Sequence, residues 1–206
     1  MTAALNALAS SALAGVLALD TVQALQFLLA RPAFVGPLLG WLNGCLLDGA
    51  QVGILLELLY IDVIPVGGVV PPNGAAAAAV GVLAHSAAGL PPSLGFFAGA
   101  AAGAGFSPFE ARIRAARSGW NALVTAQVEA GDFNIGRWLA RAMALEAGAL
   151  AAYVACCTGL CALAALTPRL ELAYPAADFA FSLMPLLGLS GLYFRFRTQA
   201  RKKQGK

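Results

Sequence analysis

Residues 43–73, NGCLLDGAQVGILLELLYIDVIPVGGVVPPN, decide the architecture that we expect for this chain. Three acids, Asp48, Glu57 and Asp62, interrupt sequence that is otherwise apolar enough to lie in lipid. A charge near the centre of a bilayer costs about 3 kcal/mol or more unless it has a partner or faces a wet cavity. These acids are therefore candidates for a functional site within a membrane.

The second half of this stretch does not end as a simple spanning helix would. Its helix breakers are Pro65, Gly67, Gly68, Pro71 and Pro72. Proline removes a backbone donor and glycine adds backbone freedom, so regular helical hydrogen bonding cannot continue through them. Irregular backbone at membrane depth is tolerated only where protein buries it or where it lines a wet cavity. We therefore predict a re-entrant or broken-helix element over residues 63–73, of the kind that carries substrate sites in transporters.

The composition of the whole chain agrees with a membrane protein. Of 206 residues, 60% are hydrophobic and 11% are charged, and the mean hydropathy is +0.76. These values exclude an ordinary soluble domain. Spans of roughly 20 residues leave room for about six to eight helices or hairpin arms and for no sizeable extramembrane domain. We predict an all-α integral membrane protein with multiple helices, folded as a single domain over residues 1–206.

The basic residues form two clusters that predict the orientation in the membrane. One cluster lies in residues 110–141, whose pattern suits an amphipathic helix at the membrane surface, and the other is the tail, residues 195–206. Two apolar stretches, residues 143–166 and 179–194, separate them, so both clusters lie on one side if each stretch crosses once. The positive-inside rule makes that side the cytoplasm. The N-terminus lacks a basic region before its apolar residues, so we expect it to be a membrane element rather than a cleaved signal peptide.

Spaced glycines and paired prolines predict how the helices meet. Glycines recur at or near every fourth position at Gly36, Gly40, Gly44, Gly49 and Gly53, and a second set is Gly95, Gly99 and Gly103. This spacing puts small residues on one helical face, where another backbone can approach closely. We expect packing seams there, with a possible helix break between Gly44 and Gly49. The pair Pro91 and Pro92 predicts a helical hairpin between residues 74–90 and 93–106.

Several residues admit more than one interpretation. Arg31, the only cation before Arg112, is either an interfacial anchor or the partner of a buried acid. His85, the only histidine, has no acid near it in the sequence, and we expect a structural role. The four cysteines lack the paired spacing of a zinc site, which indicates packing. We expect no metal, no cofactor and no nucleic-acid partner.

The motifs of the central stretch, taken together, carry a family resemblance. In order they are Arg31-Pro32, a glycine-spaced helix, Gly44-x-x-x-x-Gly49-x-x-x-Gly53-x-x-Leu56-Glu57, and Val66-Gly67-Gly68-x-x-Pro71-Pro72-Asn73. This order and spacing resembles the membrane IIC component of the mannose and sorbose family of the bacterial sugar phosphotransferase system (PTS). The resemblance covers residues 20–84 well and residues 120–149 loosely.

The resemblance implies a non-catalytic permease subunit of the cell inner membrane. Such a subunit would translocate a hexose together with a IID membrane subunit, as a homo-oligomer of IIC–IID units, while soluble IIA and IIB proteins phosphorylate the sugar. The phosphate-bearing histidines of that system belong to the soluble proteins, so His85 need not be one. Carried over by position, the substrate-binding residues would be Glu57, Asp62, Gly67, Gly68 and Asn73. In this scheme Glu57 and Asn73 bond to sugar hydroxyls, and the glycine pair allows close approach.

Two other functions remain open from the residues. The first is a regulatory or degenerate membrane component of an incomplete PTS, which recruits cytoplasmic PTS proteins without transporting sugar. It is favoured by Pro65, which stands where many sugar-transporting members have Asn, and by a chain that ends sooner than in typical members. The second is an unrelated transporter that uses Asp48, Glu57 and Asp62 for protons or cations.

Overall fold

The chain is built from helices throughout the part that the structure, a computed structural model, describes: residues 2–21, 27–61 and 70–204. The α-helices in this part are α1 (Thr2–Ala18), α2 (Pro32–Leu42), α3 (Leu46–Tyr60), α4 (Gly74–Ser86), α5 (Pro92–Ser118), α6 (Asn121–Glu129), α7 (Ile135–Ala165) and α8 (Tyr174–Gln204). Two short 3-10 helices, Leu19–Thr21 and Pro168–Ala173, precede the connection to α2 and the start of α8. The described residues contain no strand, and the all-α prediction is confirmed.

The helices fall into two length classes. Ala4–Thr21, Ile135–Ala165 and Pro168–Phe194 are long and apolar enough to cross a membrane, whereas the apolar helices α2 and α4 are short. With 11 residues, α2 is only about 16 Å long, roughly half of the ~30 Å hydrocarbon thickness. By itself α2 is therefore too short to cross a membrane.

A tight hairpin joins α2 to α3, and its glycines explain the close packing. A Cβ on Gly36 would lie 2.4 Å from the Gly49 carbonyl oxygen, and one on Gly53 would lie 2.4 Å from the Pro32 carbonyl oxygen. The predicted seam is therefore confirmed for these positions. Gly44 is the exception, because it lies in the turn with a φ of +76° and has no atom within 4 Å of an added Cβ. The helix break falls at Gly44, and α3 has already begun at Leu46.

A second hairpin joins α4 to α5 as the paired prolines predict. Pro92 is the first residue of α5, where its missing N–H is harmless. A Cβ on Gly99 would lie 2.4 Å from the Ala77 carbonyl oxygen and 3.1 Å from the Cα of Gly81, so the two backbones are in direct contact. Every residue of α4 from Ala75 to Ala84 is buried, which makes α4 the centre of the core.

The extent of α5 corrects the predicted boundary of the polar segment. We expected an apolar arm ending at Phe106 and a separate amphipathic helix beyond it, but one continuous helix runs from Pro92 to Ser118. The hydropathy changes near Phe109, yet Pro108 is accommodated and the following Glu, Ala and Arg residues are good helix formers, so the backbone has no reason to break there. The break comes instead at Gly119 and Trp120, and α6 follows.

Contacts of α7 and α8 with α5 fix their directions. Glu146 and Tyr153 of α7 meet Arg117 and the Ala102 carbonyl of α5, respectively, so the two helices are antiparallel. In α8, Asp178 accepts a hydrogen bond from Ser93, and further along the Phe181 ring meets Phe96, so α8 runs in the direction of α5. The basic end of α5, the start of α7 and the far end of α8 therefore lie at the same end of the molecule, as predicted.

Candidate functional site

A cavity of about 470 Å³ lies where the N-termini of α2 and α4 approach the C-terminus of α3. This volume is within the range of small-molecule sites. Its polar lining residues are Asp20, Thr21, Arg31, Glu57, Tyr60, Asn73, Glu110 and Arg114. Two helix N-termini direct their partial positive charge toward this space, which favours anionic and electron-rich groups there.

Glu57 lies at the edge of the cavity and is held by the start of α2. Its Oε1 accepts a hydrogen bond from Arg31 Nη1 at 3.1 Å, and its Oε2 lies 3.5 Å from the backbone N–H of Ala33. A carboxylate offers about four acceptor positions, so Glu57 retains capacity for further donors. The Glu57 side chain is 24% exposed and that of Arg31 is 56% exposed, so water and solutes can reach the pair. Of the two roles that the sequence leaves open for Arg31, the structure shows one: Arg31 is the partner of an acid.

Asp20 closes another side of the cavity and anchors the connection to α2. It is 6% exposed, and its carboxylate oxygens accept hydrogen bonds from the backbone N–H groups of Phe27 at 2.8 Å and Leu29 at 2.6 Å. Hydrogen bonds from backbone N–H groups stabilise an ionised carboxylate where it is out of bulk water. Asp20 therefore shapes the entry into α2 and adds negative charge beside Glu57.

Asn73 connects the start of α4 to α5 through a buried carboxylate. Its Oδ1 accepts from the N–H of Ala76 at 2.9 Å as an N-cap, and its Nδ2 donates to Glu110 Oε2 at 3.2 Å. Glu110 is 6% exposed, and its other oxygen accepts from Arg114. The backbone N–H of Asn73 donates to the Gly103 carbonyl at 2.9 Å. Within the part of the chain that the structure describes, these bonds leave the second Nδ2 hydrogen of Asn73 available as a donor.

The structure brings together only part of the predicted substrate site. Glu57 and Asn73 both line the cavity. Asp62, Gly67 and Gly68 lie outside the described residues, as does most of the predicted re-entrant element. The described end of that element, residues 70–73, is extended chain that leads into α4 with Pro71 and Pro72 in the cavity lining.

Asp48 lies far from this cavity and corrects the interpretation of His85. The two acids of α3 are nine residues apart, which is about 14 Å along a helix. Asp48 Oδ2 lies 3.4 Å from His85 Nε2, and His85 Nδ1 lies 2.7 Å from the Leu90 carbonyl oxygen. The expectation that His85 has no acid nearby was wrong, because the α3–α4 packing brings together residues 37 positions apart. Among the described residues, no group of three His, Cys, Asp or Glu could hold a metal ion.

Sequence reasoning missed three charged residues that line the cavity: Asp20, Glu110 and Arg114. Asp20 carried the same signal as Glu57, an acid within apolar sequence. Glu110 and Arg114 were assigned to a surface segment, since they follow a long uncharged stretch and begin a polar one. The useful signal was the spacing of four between them on a helix, which allows an ion pair that neutralises a buried acid.

The fold and the cavity define a class of protein. Long apolar helices pack against two helical hairpins, and helix ends meet at a charged, water-accessible cavity. This combination is typical of membrane transport proteins whose helices are discontinuous at the substrate site.

Comparison with known proteins identifies the family. The family described as "PTS system sorbose-specific iic component" matches residues 4–176, and the chain belongs to it. A search of curated protein sequences found no match. Two solved structures share the fold: "Structure of membrane protein" has a TM-score of 0.69 and 17% identity, over 95% of this chain and 80% of that one. "CryoEM Structure of Mannose Transporter ManYZ and Microcin E492 (MceA) complex" has a TM-score of 0.62 and 18% identity, over 95% of this chain and 79% of that one.

Family and fold together establish a mannose/sorbose-type PTS IIC membrane component. They also confirm the multi-pass helical architecture and the resemblance that the motif order indicates. Asp48 and Glu57 lie toward opposite ends of α3, so these two acids do not form one common site.

Proposed function

We propose that the chain is the permease subunit (IIC) that translocates a hexose together with a IID membrane subunit. In this proposal soluble IIA and IIB proteins phosphorylate the sugar. The end of the molecule that contains the cavity faces the cytoplasm in an inner-membrane complex. IIC–IID units assemble into a homo-oligomer. The chain itself transfers no phosphoryl group.

The observation that carries this proposal is that Glu57, which has spare acceptor positions, lines a cavity of about 470 Å³. A hexose presents several hydroxyl donors and an apolar ring face. Glu57 accepts from hydroxyls, and the free Nδ2 hydrogen of Asn73 donates to one. The Tyr60 ring, held by a hydrogen bond from its hydroxyl to the Ala100 carbonyl at 2.8 Å, gives the cavity a fixed apolar wall.

The ion pairs around the cavity suit a neutral, polar substrate. Arg31 pairs with Glu57 and Arg114 pairs with Glu110, so a carboxylate balances the positive charge of each guanidinium. Hydroxyl groups can join these pairs without an uncompensated charge. We further propose that Asp62, Gly67 and Gly68 complete this site, as the family resemblance implies.

Uptake in cells tests the proposal. The chain is produced with a IID subunit and soluble IIA and IIB proteins in a host that lacks its own mannose-type system, and entry of radiolabelled mannose and sorbose is measured. We expect uptake above the host background and its loss in Glu57→Gln. Absence of uptake of any sugar in a hexose panel, with the chain shown to be folded in the membrane, would overturn the proposal.

A second function is favoured by the surface formed by α6 and the start of α7. The Trp120 and Trp138 rings are 5.5 Å apart, and the Arg141 guanidinium lies 5.0 and 5.5 Å from their centroids. Trp138 Nε1 donates to Gln127 Oε1 at 2.8 Å, so this aromatic surface is ordered. It suits docking of a soluble IIA or IIB protein, which is the role of a regulatory component. Pull-down of these proteins by membranes, with Arg141→Gln lowering the yield and uptake absent, would favour that function over transport.

A further inference from the structure

A second cavity of about 380 Å³ lies between α5 and α7 and is separate from the substrate cavity. Its walls are apolar, formed by Phe106, Phe109 and Ile113 of α5 together with Ala152 and Tyr153 of α7. One charged residue, Arg112, also lines it. The cavity is thus an apolar groove with one cationic side chain at its edge.

The aromatic wall of this groove is fixed. Tyr153 donates its hydroxyl hydrogen to the Ala102 carbonyl at 3.0 Å, which holds the ring against α5. The Phe106 and Phe109 rings lie 5.0 and 5.6 Å from the Tyr153 ring. Rings at these separations form stable aromatic contacts, so the groove is present before a ligand arrives.

Arg112 differs from the two other arginines of α5, which both form ion pairs. Arg114 pairs with Glu110, and Arg117 pairs with Glu146. Within the described ranges Arg112 makes no ion pair, and its guanidinium carbon lies 5.8 Å from the centroid of the Phe109 ring. An unpaired guanidinium next to apolar walls is suited to a phosphate group, which it can bind through two hydrogen bonds.

The depth of the groove follows from the distribution of charge along the two helices. Residues 147–165 of α7 carry no charge, a length of about 28 Å that matches one hydrocarbon crossing. The membrane boundary on α7 therefore lies near Glu146, and Tyr153 lies about 10 Å inside it. On α5 the uncharged stretch ends at Phe109, so Arg112 lies about 4 to 5 Å beyond it, at headgroup depth.

We propose that this groove binds one anionic phospholipid, with an acyl chain along Phe106, Phe109 and Tyr153 and the phosphate at Arg112. The ligand chemistry follows from the two halves of the site, since the apolar wall lies at hydrocarbon depth and the cation at phosphate depth. The head of an anionic lipid carries net negative charge that Arg112 complements. A zwitterionic lipid brings its own cation and gains less.

Native mass spectrometry of the purified full chain tests this site. The protein is incubated with equal amounts of phosphatidylglycerol and phosphatidylcholine that have identical acyl chains, and the bound lipid is counted. We expect one tightly held lipid, with phosphatidylglycerol favoured about fivefold, the value for one cation near a lipid surface. Arg112→Gln should lose the preference, whereas Arg137→Gln, which alters another exposed arginine, should keep it.

A second pair of variants tests the apolar half of the groove. Ala152→Phe fills the groove and should reduce binding of both lipids, while Ala162→Phe, at an exposed position of α7 outside the groove, should not. If Ala152→Phe does not fold, the arginine pair still decides the question.

Four results would overturn the proposal. They are equal retention of both lipids by the unaltered chain, unchanged preference in Arg112→Gln, an equal loss in Arg137→Gln, and displacement of the lipid by millimolar inorganic phosphate. Loss of lipid when a IID subunit is bound, with Ala152→Phe weakening that subunit's association instead, would assign the groove to a protein partner and also overturn it.

Discussion

The two ends of α3 each carry an acid with a basic partner, and one of these acids lines the cavity of about 470 Å³. At the end that we call the cavity end, Glu57 pairs with Arg31 beside a space of about 470 Å³. At the other, the hairpin end, Asp48 pairs with His85 next to the turns that join α2 to α3 and α4 to α5. An ion pair in an apolar helix is therefore not by itself a substrate site.

The backbone explains the difference between the ends. At the hairpin end, short turns at residues 43–45 and 87–91 join consecutive helices directly, and the glycine seams hold the arms in contact. At the cavity end, α2 and α4 begin with Pro32 and Gly74 after non-helical segments, and their N-termini surround a space. The helix ends that meet there create the room, and the charged side chains give that room its chemistry.

The largest expected effect comes from breaking the seam that supports both ends. Gly49→Val should destabilise the protein by about 3 kcal/mol, because an added Cβ would lie 2.6 Å from the Gly36 carbonyl oxygen and 2.8 Å from the Gly40 Cα. Thermal unfolding followed by size-exclusion fluorescence measures this change. Gly148→Ala is the control, since an added Cβ there meets nothing within 4 Å. Equal stability of the two variants would contradict the packing described for α2 and α3.

A second prediction separates the cavity network from a similar pair outside it. Glu110→Gln should weaken mannose binding about tenfold, because its carboxylate holds both Asn73 and Arg114 at the cavity. Glu146→Gln removes the carboxylate that pairs with Arg117 away from the cavity, and it should lower the unfolding temperature without changing affinity. Isothermal titration of the folded variants measures both. A matching loss of affinity in the two variants would mean that Glu110 acts only through stability.

The smallest effect is expected at the hairpin end. His85→Gln removes the 3.4 Å contact with Asp48, whose side chain is 45% exposed, so the loss of stability should be about 1 kcal/mol or less. Sugar uptake should be unchanged, since neither residue lines the cavity that contains Glu57. A strong loss of uptake in a stable variant would show that both ends take part in transport.

The sequence predicted where helices begin and break better than it predicted which side chains contact each other. Gly44, Pro91 and Pro92 carry local signals, because a turn or a helix start needs their particular backbone properties, and the breaks fall at these residues. For Glu110 the local signal, the spacing of four to Arg114, indicates an ion pair only. Its bond to Asn73 joins residues 37 positions apart, and its burial depends on how α5 packs.

The same limit applies to Asp48 and His85, which are also distant in the sequence. Charge and hydropathy show that a buried acid needs a partner, but they do not show which residue supplies it. Arg31 had two possible roles, an interfacial anchor or the partner of an acid. Only the approach of α2 to α3, which brings Arg31 to Glu57, decides between them.

The central claim, that the sugar binds at the cavity end, is tested most directly by mannose binding to two variants of one helix. Equilibrium binding to the purified complex with its IID subunit is measured for Glu57→Gln and Asp48→Asn. We predict that Glu57→Gln weakens binding about 10- to 100-fold, because it removes a charged acceptor of hydroxyl hydrogen bonds, and that Asp48→Asn binds like the unaltered protein. Full binding by Glu57→Gln together with loss of binding by Asp48→Asn would contradict the account.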